Sequence, residues 1–533
     1  MKLRQRIGDW IAGKKRTKTE SARALASQQA RMYANARGTR SGGLGSSGNS
    51  SADAELSLSL TKLRSASRQM VRDSAYAKRA KLIVVNNVIG AGVGMQSQVM
   101  TTRGQLNETV NAAIEKAWCE WSCADSCHTG GALHFGDFER AAMGQVFEAG
   151  EVFIRKHYRR FGDSQVPLGL ELIEAERVAA DIVEPGAISG NGDIRMGVEV
   201  DEFQRPVAYW IRQRHPGDIR VHAKQTDRYE RVPAADVFHL RLTDRWPQTR
   251  GEPWLHAVLK KFDDLNELTS SELSAVRASS YMFATIETPD GTPDPLTTAD
   301  DSDGAQVMDM EQLTIQSLAP GEKLALHSPN RPNPSLDAFL RAIVREMATG
   351  AMVSYESLSR DYSQSNYSSS RLALLDDRDT YKVLQRWWIR SFREPLHEVW
   401  LNQAVLARAI PEISTTQYAA DMEKFEEALF KPRGWSWVDP TKEVNAYKEA
   451  IKAGMTTLTD VIAETNNGRD IEEVVKTRRR ELDMLDAADI DVDTTVEDPM
   501  EIAAAKAPAA APAEDPPEDV PARVFSQAPK GLQ

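Results

Sequence analysis

Residues 354–371 read SYESLSRDYSQSNYSSSR and lie between two segments with helical patterns. The stretch holds three tyrosines and eight serines, and Leu358 is its single aliphatic residue. A linker would use glycine and proline, and a core element would use leucine and valine. Tyr, Ser, Asn and Gln contact phosphates and sugars through neutral hydrogen bonds, each worth only about 1 kcal/mol. The composition therefore favours weak contact with a polyanion, and a Ser-rich connection between helices is the alternative.

The composition of the whole chain is that of a soluble protein. Its 533 residues are 41% apolar and 27% charged, with a formal net charge of −11. A protein that grips nucleic acid non-specifically should be basic, so this class is disfavoured. Three cysteines suit a reducing cytoplasm. The most apolar stretch, residues 82–95, is too short to span a bilayer, so we expect no membrane partner.

Both ends of the chain predict segments without a core. Residues 1–20 carry seven Lys/Arg against two acids, and a Gly/Ser linker follows at 38–53. We therefore predict a flexible basic arm over residues 1–54. Residues 486–533 are acidic and Ala/Pro-rich, a composition that predicts disorder.

The first half of the body combines helices and strands. Helical patterns cover about 55–95 and 105–124, and Asp137 is the predicted N-cap of a helix that stops at Gly150. Residues 151–242 carry the alternation and β-branched content of strands, with a turn at Asn191-Gly192.

The second half is mostly helical. A helix is predicted after Pro253, then a Pro-, Gly- and Asp-rich segment with short strand-like pieces at 312–318 and 323–328. Ser335 is the predicted N-cap of the next helix, and the long helix after residue 371 should kink at Pro395. Asp439 as N-cap, Pro440 at N1 and Gly454 as C-cap bound a later helix. The fold class predicted is α+β.

Three cysteines and a histidine could suggest zinc. Cys119, Cys123, Cys127 and His128 offer sulfur and nitrogen ligands, but their spacing lacks the C-x2-C pairs of common zinc sites. Thiols four and eight residues apart on one helix do not converge on a point. Small buried cysteines are therefore the favoured interpretation, and no metal site is predicted.

Glycines at 90, 92 and 94 could suggest a dinucleotide fingerprint. The pattern is G-x-G-x-G, with Met95 where the third glycine should stand, so a tight turn is favoured. The chain has no G-x-x-x-x-G-K-[ST] phosphate loop and none of the catalytic motifs sought. We predict no ATP-driven motor, no catalytic residues and no cofactor.

Aromatic residues and acids stand out in two further places. The predicted long helix carries four aromatic residues, Trp387, Trp388, Phe392 and Trp400. Their spacing predicts packing in the core or between subunits rather than a ligand-binding box. Residues 285–331 carry nine Asp/Glu against two Lys/Arg. This acidic excess is most simply a solvated loop.

The sequence resembles the portal proteins of tailed bacteriophages, most closely the lambda-like family. Residues 353–371 carry the most specific resemblance, and weaker ones lie at 75–93, 248–268 and 434–443. The family pattern is matched by Tyr355, Glu356, Leu358, Ser359, Arg360, Tyr362, Tyr367 and Ser368. The resemblance covers about residues 55–485 and leaves both tails outside.

The resemblance implies a portal fold of wing, stem, clip and crown. It assigns the segments in this order: α/β wing 55–253, stem helix 254–284, clip 285–334, stem helix 335–353, channel loop 354–371, long wing helix 372–410 and helical crown 411–485. The DNA-facing residues it implies in the channel loop are Tyr355, Ser359, Arg360, Tyr362, Gln364, Asn366, Tyr367 and Ser368.

The resemblance also implies a function and a set of partners. The chain would form a ring, usually of twelve, at the capsid portal vertex, through which DNA enters the procapsid and leaves on ejection. Its partners would be the terminase large subunit, head-tail connector proteins, and the major capsid and scaffold proteins. It would occupy the virion, and the host bacterial cytoplasm during assembly. The alternatives are a cytoplasmic metal- or nucleotide-dependent enzyme and a scaffold that forms no ring.

Overall fold

The computed structural model describes ten ranges of the chain, which divides into two units, residues 1–435 and 436–533. The described residues are 50–182, 184–188, 192–218, 229–281, 284–287, 323–326, 335–364, 366–435, 440–465 and 471–488. Most of the predicted basic arm, clip and acidic tail therefore lies outside the described residues, as does the predicted turn at Asn191.

Four helices, the last of them short, open the first unit. Helix α1 (Ala52–Asp73) is capped by Ser51, whose hydroxyl accepts from the Ala54 N–H. Helix α2 (Ala75–Val88) follows directly, so the helical pattern predicted to residue 95 ends earlier, at a glycine turn. Strand β1 (Gly94–Ser97) comes next. Helix α3 (Glu108–Trp121) is capped by Asn107, and the short α4 (Ala124–Cys127) follows it.

Helix α5 (Phe135–Ala149) ends as predicted but begins earlier. Gly150 takes the left-handed conformation at φ 86°, and a Cβ there would lie 2.2 Å from the Glu252 carbonyl carbon. Only glycine fits this C-cap. The prediction of Asp137 as N-cap is wrong, because the buried Phe135 already belongs to the helix and His134 precedes it.

Two antiparallel sheets follow α5. Strands β2 (Glu151–His157), β3 (Gly169–Ile173) and β9 (Val237–Arg241) form a sheet of order β3-β2-β9. A second sheet has the order β4-β5-β6-β7-β8. Its strands are β4 (Glu184–Ile188), β5 (Gly192–Arg195), β6 (Val198–Val200), β7 (Pro206–Arg212) and β8 (Tyr229–Pro233). Side chains of both sheets, among them Phe153, Val198 and Tyr209, share a small separate core.

Two further helices carry the next part of the chain. Helix α6 (Leu259–Tyr281) starts later than Pro253 suggested, because residues 254–258 form turns. Strand β10 (Ala284–Glu287) pairs antiparallel with β11 (Lys323–Leu326), which confirms a strand within the piece predicted at 323–328. Helix α7 (Leu336–Gly350) begins after Ser335, as predicted.

The long helical region has three parts after the short helix α8 (Tyr355–Ser359). Helix α9 (Tyr367–Trp388) runs into a π-helix at Ile389–Arg393 and then into α10 (Glu394–Leu406). Pro395 is the second residue of α10, and its ring, which supplies no N–H to the helix ladder, follows directly after the π-helix. The irregularity predicted at this proline is therefore a π-helix just before it.

The segment predicted as one helical crown is divided at Trp435. Helices α11 (Thr415–Ala420) and α12 (Met422–Glu426) belong to the first unit, as does strand β12 (Ala428–Lys431), which pairs with β1. The second unit comprises α13 (Pro440–Lys452), α14 (Leu458–Thr465) and α15 (Ile471–Ala487). Gly454 follows α13 at φ 69°, as its predicted C-cap role requires.

Candidate functional site

The first half of residues 354–371 is fixed to the protein body. Ser354 precedes α8, and its N–H and hydroxyl both donate to the carboxylate of Asp377 on α9, at 2.9 and 2.6 Å. Ser357 donates to the same carboxylate at 3.3 Å, and Leu358 is buried in the main core. Burial raises the pKa of Asp377, while the serine hydrogen bonds oppose that shift. The hydrogen bonds from Ser354 and Ser357 to Asp377 therefore hold this half of the stretch against the body of the protein.

Tyr355 is held inside a local network. Its hydroxyl donates to Asp361 Oδ2 at 2.9 Å, and the guanidinium of Arg345 lies 5.2 Å from its ring centroid. Ser359 donates to the Tyr355 carbonyl oxygen at 2.7 Å and accepts from the Asp361 N–H. These contacts use the polar atoms of Tyr355 and Ser359 within the chain.

The chain reverses at Arg360 and Asp361. Arg360 is exposed and adopts the left-handed conformation, with φ 57°, at the end of α8. Asp361 accepts from the N–H and hydroxyl of Ser363, at 3.0 and 2.6 Å, as in an Asx turn. These bonds and the one from Tyr355 lower the pKa of Asp361 to about 2. The turn sets the direction in which the following residues leave the body.

The exposed part of the stretch runs from Arg360 to the first turn of α9. Tyr362 is 61% exposed, and Gln364 and Ser368 are also exposed. Asn366 is exposed but caps α9: its side chain accepts from the Ser369 N–H at 2.8 Å, and Ser369 Oγ accepts from the Asn366 N–H. The exposed groups are mainly neutral donors and acceptors.

The eight predicted site residues therefore divide into three groups. Tyr355 and Ser359 are bonded into the base of the stretch, and Asn366 is a helix cap. Arg360, Tyr362, Gln364 and Ser368 are exposed beyond the base. Tyr367 is the first residue of α9, and nothing further is assigned to its side chain.

Sequence reasoning missed Asp377, which fixes the base of the stretch. A signal for it existed, because residues 377, 381, 384 and 388 follow one helical face. Tyr381, Leu384 and Trp388 on that face are buried. A carboxylate on the buried face needs hydrogen-bond donors, and Ser354 and Ser357 at the start of the stretch supply them.

The three cysteines differ in their burial. Cys127 is buried, which raises its pKa to about 12, but Cys119 and Cys123 are exposed, so the expectation of three buried thiols is wrong for two of them. The cause is that α3 turns Trp118 and Trp121 inward and ends before Cys123. Within the described residues, no cluster of three or more His, Cys, Asp or Glu is placed to hold a metal ion.

The glycine and aromatic predictions are confirmed. Gly90 and Gly92 have φ 66° and 122°, so they form the tight turn between α2 and β1. The core contains Trp388, Phe392 and Trp400, all fully buried, and Trp387 packs against it. The Trp388 indole donates to Glu139 at 3.0 Å. Core packing is their role.

Comparison with known proteins finds that the chain is similar to portal proteins of several phages. The family model described as "Phage portal protein, lambda family" matches residues 37–385. A probable portal protein of Halomonas phage phiHAP-1 is 30% identical over 421 residues, which cover 77% of this chain and 78% of that protein. Portal protein B of Escherichia phage lambda is 22% identical over 468 residues, covering 81% and 85%.

Solved structures add a looser similarity. A chain titled "Neck of empty GTA particle computed with C6 symmetry" has a TM-score of 0.42 and 12% identity, with 78% of this chain and 94% of that chain covered. Among the helices of the described ranges, none is long and apolar enough to cross a membrane.

Proposed function

The chain belongs to the lambda family of phage portal proteins, and on that premise we propose that residues 360–368 contact DNA inside the channel of a portal ring. As a portal vertex protein it takes part in DNA packaging. The contact residues in this proposal are Arg360, Tyr362, Gln364 and Ser368. Tyr355, Ser359 and Asn366 act beneath them as supports, and Tyr367 keeps its sequence-based assignment to the DNA-facing set.

One observation carries this proposal: polar residues project from a firmly bonded base. The Asp377–Ser354 contacts, the Asp361 turn and the Asn366 cap fix both ends of the exposed run. A loop with fixed ends and free neutral side chains can contact a passing polymer repeatedly without being carried along.

The charges support weak contact rather than binding. Arg360 is the exposed cation of the run, and Asp361 remains a carboxylate above about pH 2. The whole chain is acidic, at −11, which disfavours non-specific attachment to nucleic acid. Neutral hydrogen bonds of about 1 kcal/mol each allow DNA to slide.

Exposed apolar side chains on α9 support a homo-oligomer. Leu372 and Val383 are 71% and 67% exposed, and with Leu375 they follow one face of the helix. A second copy packed against this face would bury them, and cyclic symmetry lets such heterologous contacts close into a ring. We propose a ring of about twelve copies, the number that the family resemblance implies.

The remaining partners follow from the same proposal. Residues 285–334 would dock the terminase large subunit and later the head-tail connector proteins, while the major capsid and scaffold proteins surround the ring. The terminase would supply ATP hydrolysis, so the portal itself acts structurally and without catalysis. Its location would be the virion, preceded by the host bacterial cytoplasm during assembly.

A double substitution tests the loop without disturbing its base. Tyr362→Ser with Gln364→Ser removes two exposed side chains and keeps Asp361, Ser363 and Asn366. We expect rings to form normally and DNA-filled heads to fall about thirtyfold, the effect of losing two contacts of about 1 kcal/mol each. The measurement is the ratio of filled to empty heads in an assembly reaction.

Tyr158→Ser is the matched control, because Tyr158 is a 49% exposed tyrosine at the end of β2. It should leave packaging unchanged. Filled heads at the wild-type ratio in the double variant would refute DNA contact by these residues. Loss of rings in that variant would instead make the loop an assembly element.

A further inference from the structure

A basic cavity lies beside the glycine turn and includes no residue of the channel loop. This basic recess has a volume of about 720 Å³ and is open to solvent. Residues from four parts of the first unit line it, including Asn86, Gly90, Asp137, Arg140, Lys431 and Arg433. The recess uses the motif at Gly90 and Gly92 for which the portal role gives no explanation.

The three cations of the basic recess have no carboxylate partner among the described residues. Arg140 donates to the Gly90 carbonyl oxygen and to Asn86 Oδ1, the latter at 2.9 Å. Arg433 donates to the Asn86 carbonyl oxygen at 2.7 Å. Both guanidinium groups thus donate to neutral oxygen acceptors at the C-terminal end of α2. Lys431 is exposed, and its ammonium makes no hydrogen bond or ion pair within the described ranges.

The local charge opposes that of the chain as a whole. Three cations and the carboxylate of Asp137 give the lining a net charge of +2, whereas the chain carries −11. Guanidinium groups bonded only to neutral oxygens keep their full attraction for an anion. The recess therefore favours an anionic ligand.

The glycines keep the recess in its shape. Gly90 has φ 66°, and a Cβ on it would lie 3.1 Å from Arg433 Cβ. A larger residue would strain the turn and push Arg433 from its place. The glycine leaves room for Arg433 beside the turn, where the arginine donates to the Asn86 carbonyl oxygen.

We propose that the basic recess binds an acidic peptide segment of a partner protein. Its volume lies in the range of about 300–1,000 Å³ that is typical of ligand sites. A thin peptide can enter a concavity of this size, whereas a duplex presents its phosphates on a convex surface. The lining also contains an acceptor, Asp137, which suits peptide N–H donors and repels a phosphate backbone that carries acceptors alone.

The test is peptide binding by the purified full-length chain. Fluorescence anisotropy with a labelled decaglutamate peptide at low salt gives the affinity, and we expect Lys431→Gln to weaken it about two- to fivefold. Lys116→Gln removes a lysine on α3 that is also exposed and should leave the affinity unchanged. Arg433→Lys should keep most of the binding, while Arg433→Gln should weaken it by a similar two- to fivefold, because charge rather than helix capping attracts the peptide.

Competition distinguishes the anion classes. A short DNA duplex and inorganic phosphate are added separately to the peptide complex, and neither should displace it at equal charge concentration. Peptide binding that is absent, or equal in wild type and Lys431→Gln, overturns the proposal. A duplex that binds more tightly than the peptide and depends on Lys431 overturns it too. The assay needs no packaging activity, so its outcome is independent of the channel role.

Discussion

At the residue scale, the buried carboxylate of Glu151 joins distant parts of the first unit. Burial alone would raise the pKa of Glu151, but Arg250 and Arg64 hold it well below its usual value. His239 lies 2.8 Å from the same carboxylate. These partners come from distant points in the sequence, so their meeting could not be predicted from spacing. Removing Glu151 would leave the buried guanidinium groups of Arg64 and Arg250 without their carboxylate partner, at a cost of about 3–5 kcal/mol.

A second buried cluster contains groups without hydrogen bonds. Arg393 lies 4.8–5.3 Å from the ring centroids of Trp118, Phe135 and Phe430 and 3.5 Å from Glu139. His397 stacks on Trp400 at 5.9 Å, and neither ring nitrogen has a hydrogen-bond partner in the described structure. Burial, with Arg393 nearby, lowers the pKa of His397 to about 4.

His397 should make stability fall in mild acid. Its folded pKa of about 4 lies below the usual 6.5, so the unfolded chain takes up the proton first. Stability is therefore lost as the pH falls from about 6.5 towards 4. Between pH 7 and pH 5 this residue should contribute a loss of about 2 kcal/mol. Urea unfolding at the two pH values measures it.

His397→Phe is the matched variant, because it keeps the aromatic packing and removes the titrating nitrogens. Its stability should fall less between pH 7 and pH 5 than that of the wild type by about 2 kcal/mol. His239, whose pKa is also lowered to about 4, remains in both proteins and cancels in the difference. Equal pH dependence in variant and wild type would refute this role.

At the scale of secondary-structure elements, helix caps restrict the segment between α8 and α9. Arg360 ends α8 in the left-handed conformation, and Asn366 with Ser369 forms a capping box for α9. Seven residues separate α8 from α9, so both caps limit the freedom of the exposed run. The resemblance implied a DNA-facing Asn366, and its hydrogen bonds give it a structural task as well.

Asn366→Ala should loosen the first turn of α9. Loss of the cap costs about 1 kcal/mol, which corresponds to about fivefold faster opening of that turn. Hydrogen–deuterium exchange in a peptide covering residues 366–372 measures it. Asn366→Ser retains a capping oxygen and should exchange at nearly the wild-type rate. Exchange in the alanine variant that matches the wild type would show that the cap does not hold this turn.

Local signals predicted some elements well and others not at all. The Gly150 stop, the strand at 151–157 and the Ser335 helix start follow from residue chemistry that acts within a few positions. Strand β12 pairs with β1 across more than three hundred residues, and four-residue strands carry no pattern that fixes such a partner. The π-helix before Pro395 likewise lies where Phe392 and Arg393 are buried in the core, and local sequence does not specify that long-range packing.

At the scale of the whole molecule, a portal subunit must combine stable packing with surfaces left for other copies. The first unit has a main core that joins α1, α2, α3, α5, α7, α9 and α10, and a smaller one between its two larger sheets. Leu372 and Val383 remain exposed on α9. Sequence resemblance led to the portal family, whereas these exposed faces could be located only once the helices were placed.

The mass of the assembly that the purified full-length chain forms tests the portal assignment most directly. Native mass spectrometry, with negative-stain images of the same sample, reports whether copies close into a ring. We expect a single assembly of about twelve copies with a central channel, because heterologous contacts through exposed helix faces close under cyclic symmetry. A monodisperse monomer of 59.2 kDa under conditions that permit assembly would contradict the ring channel.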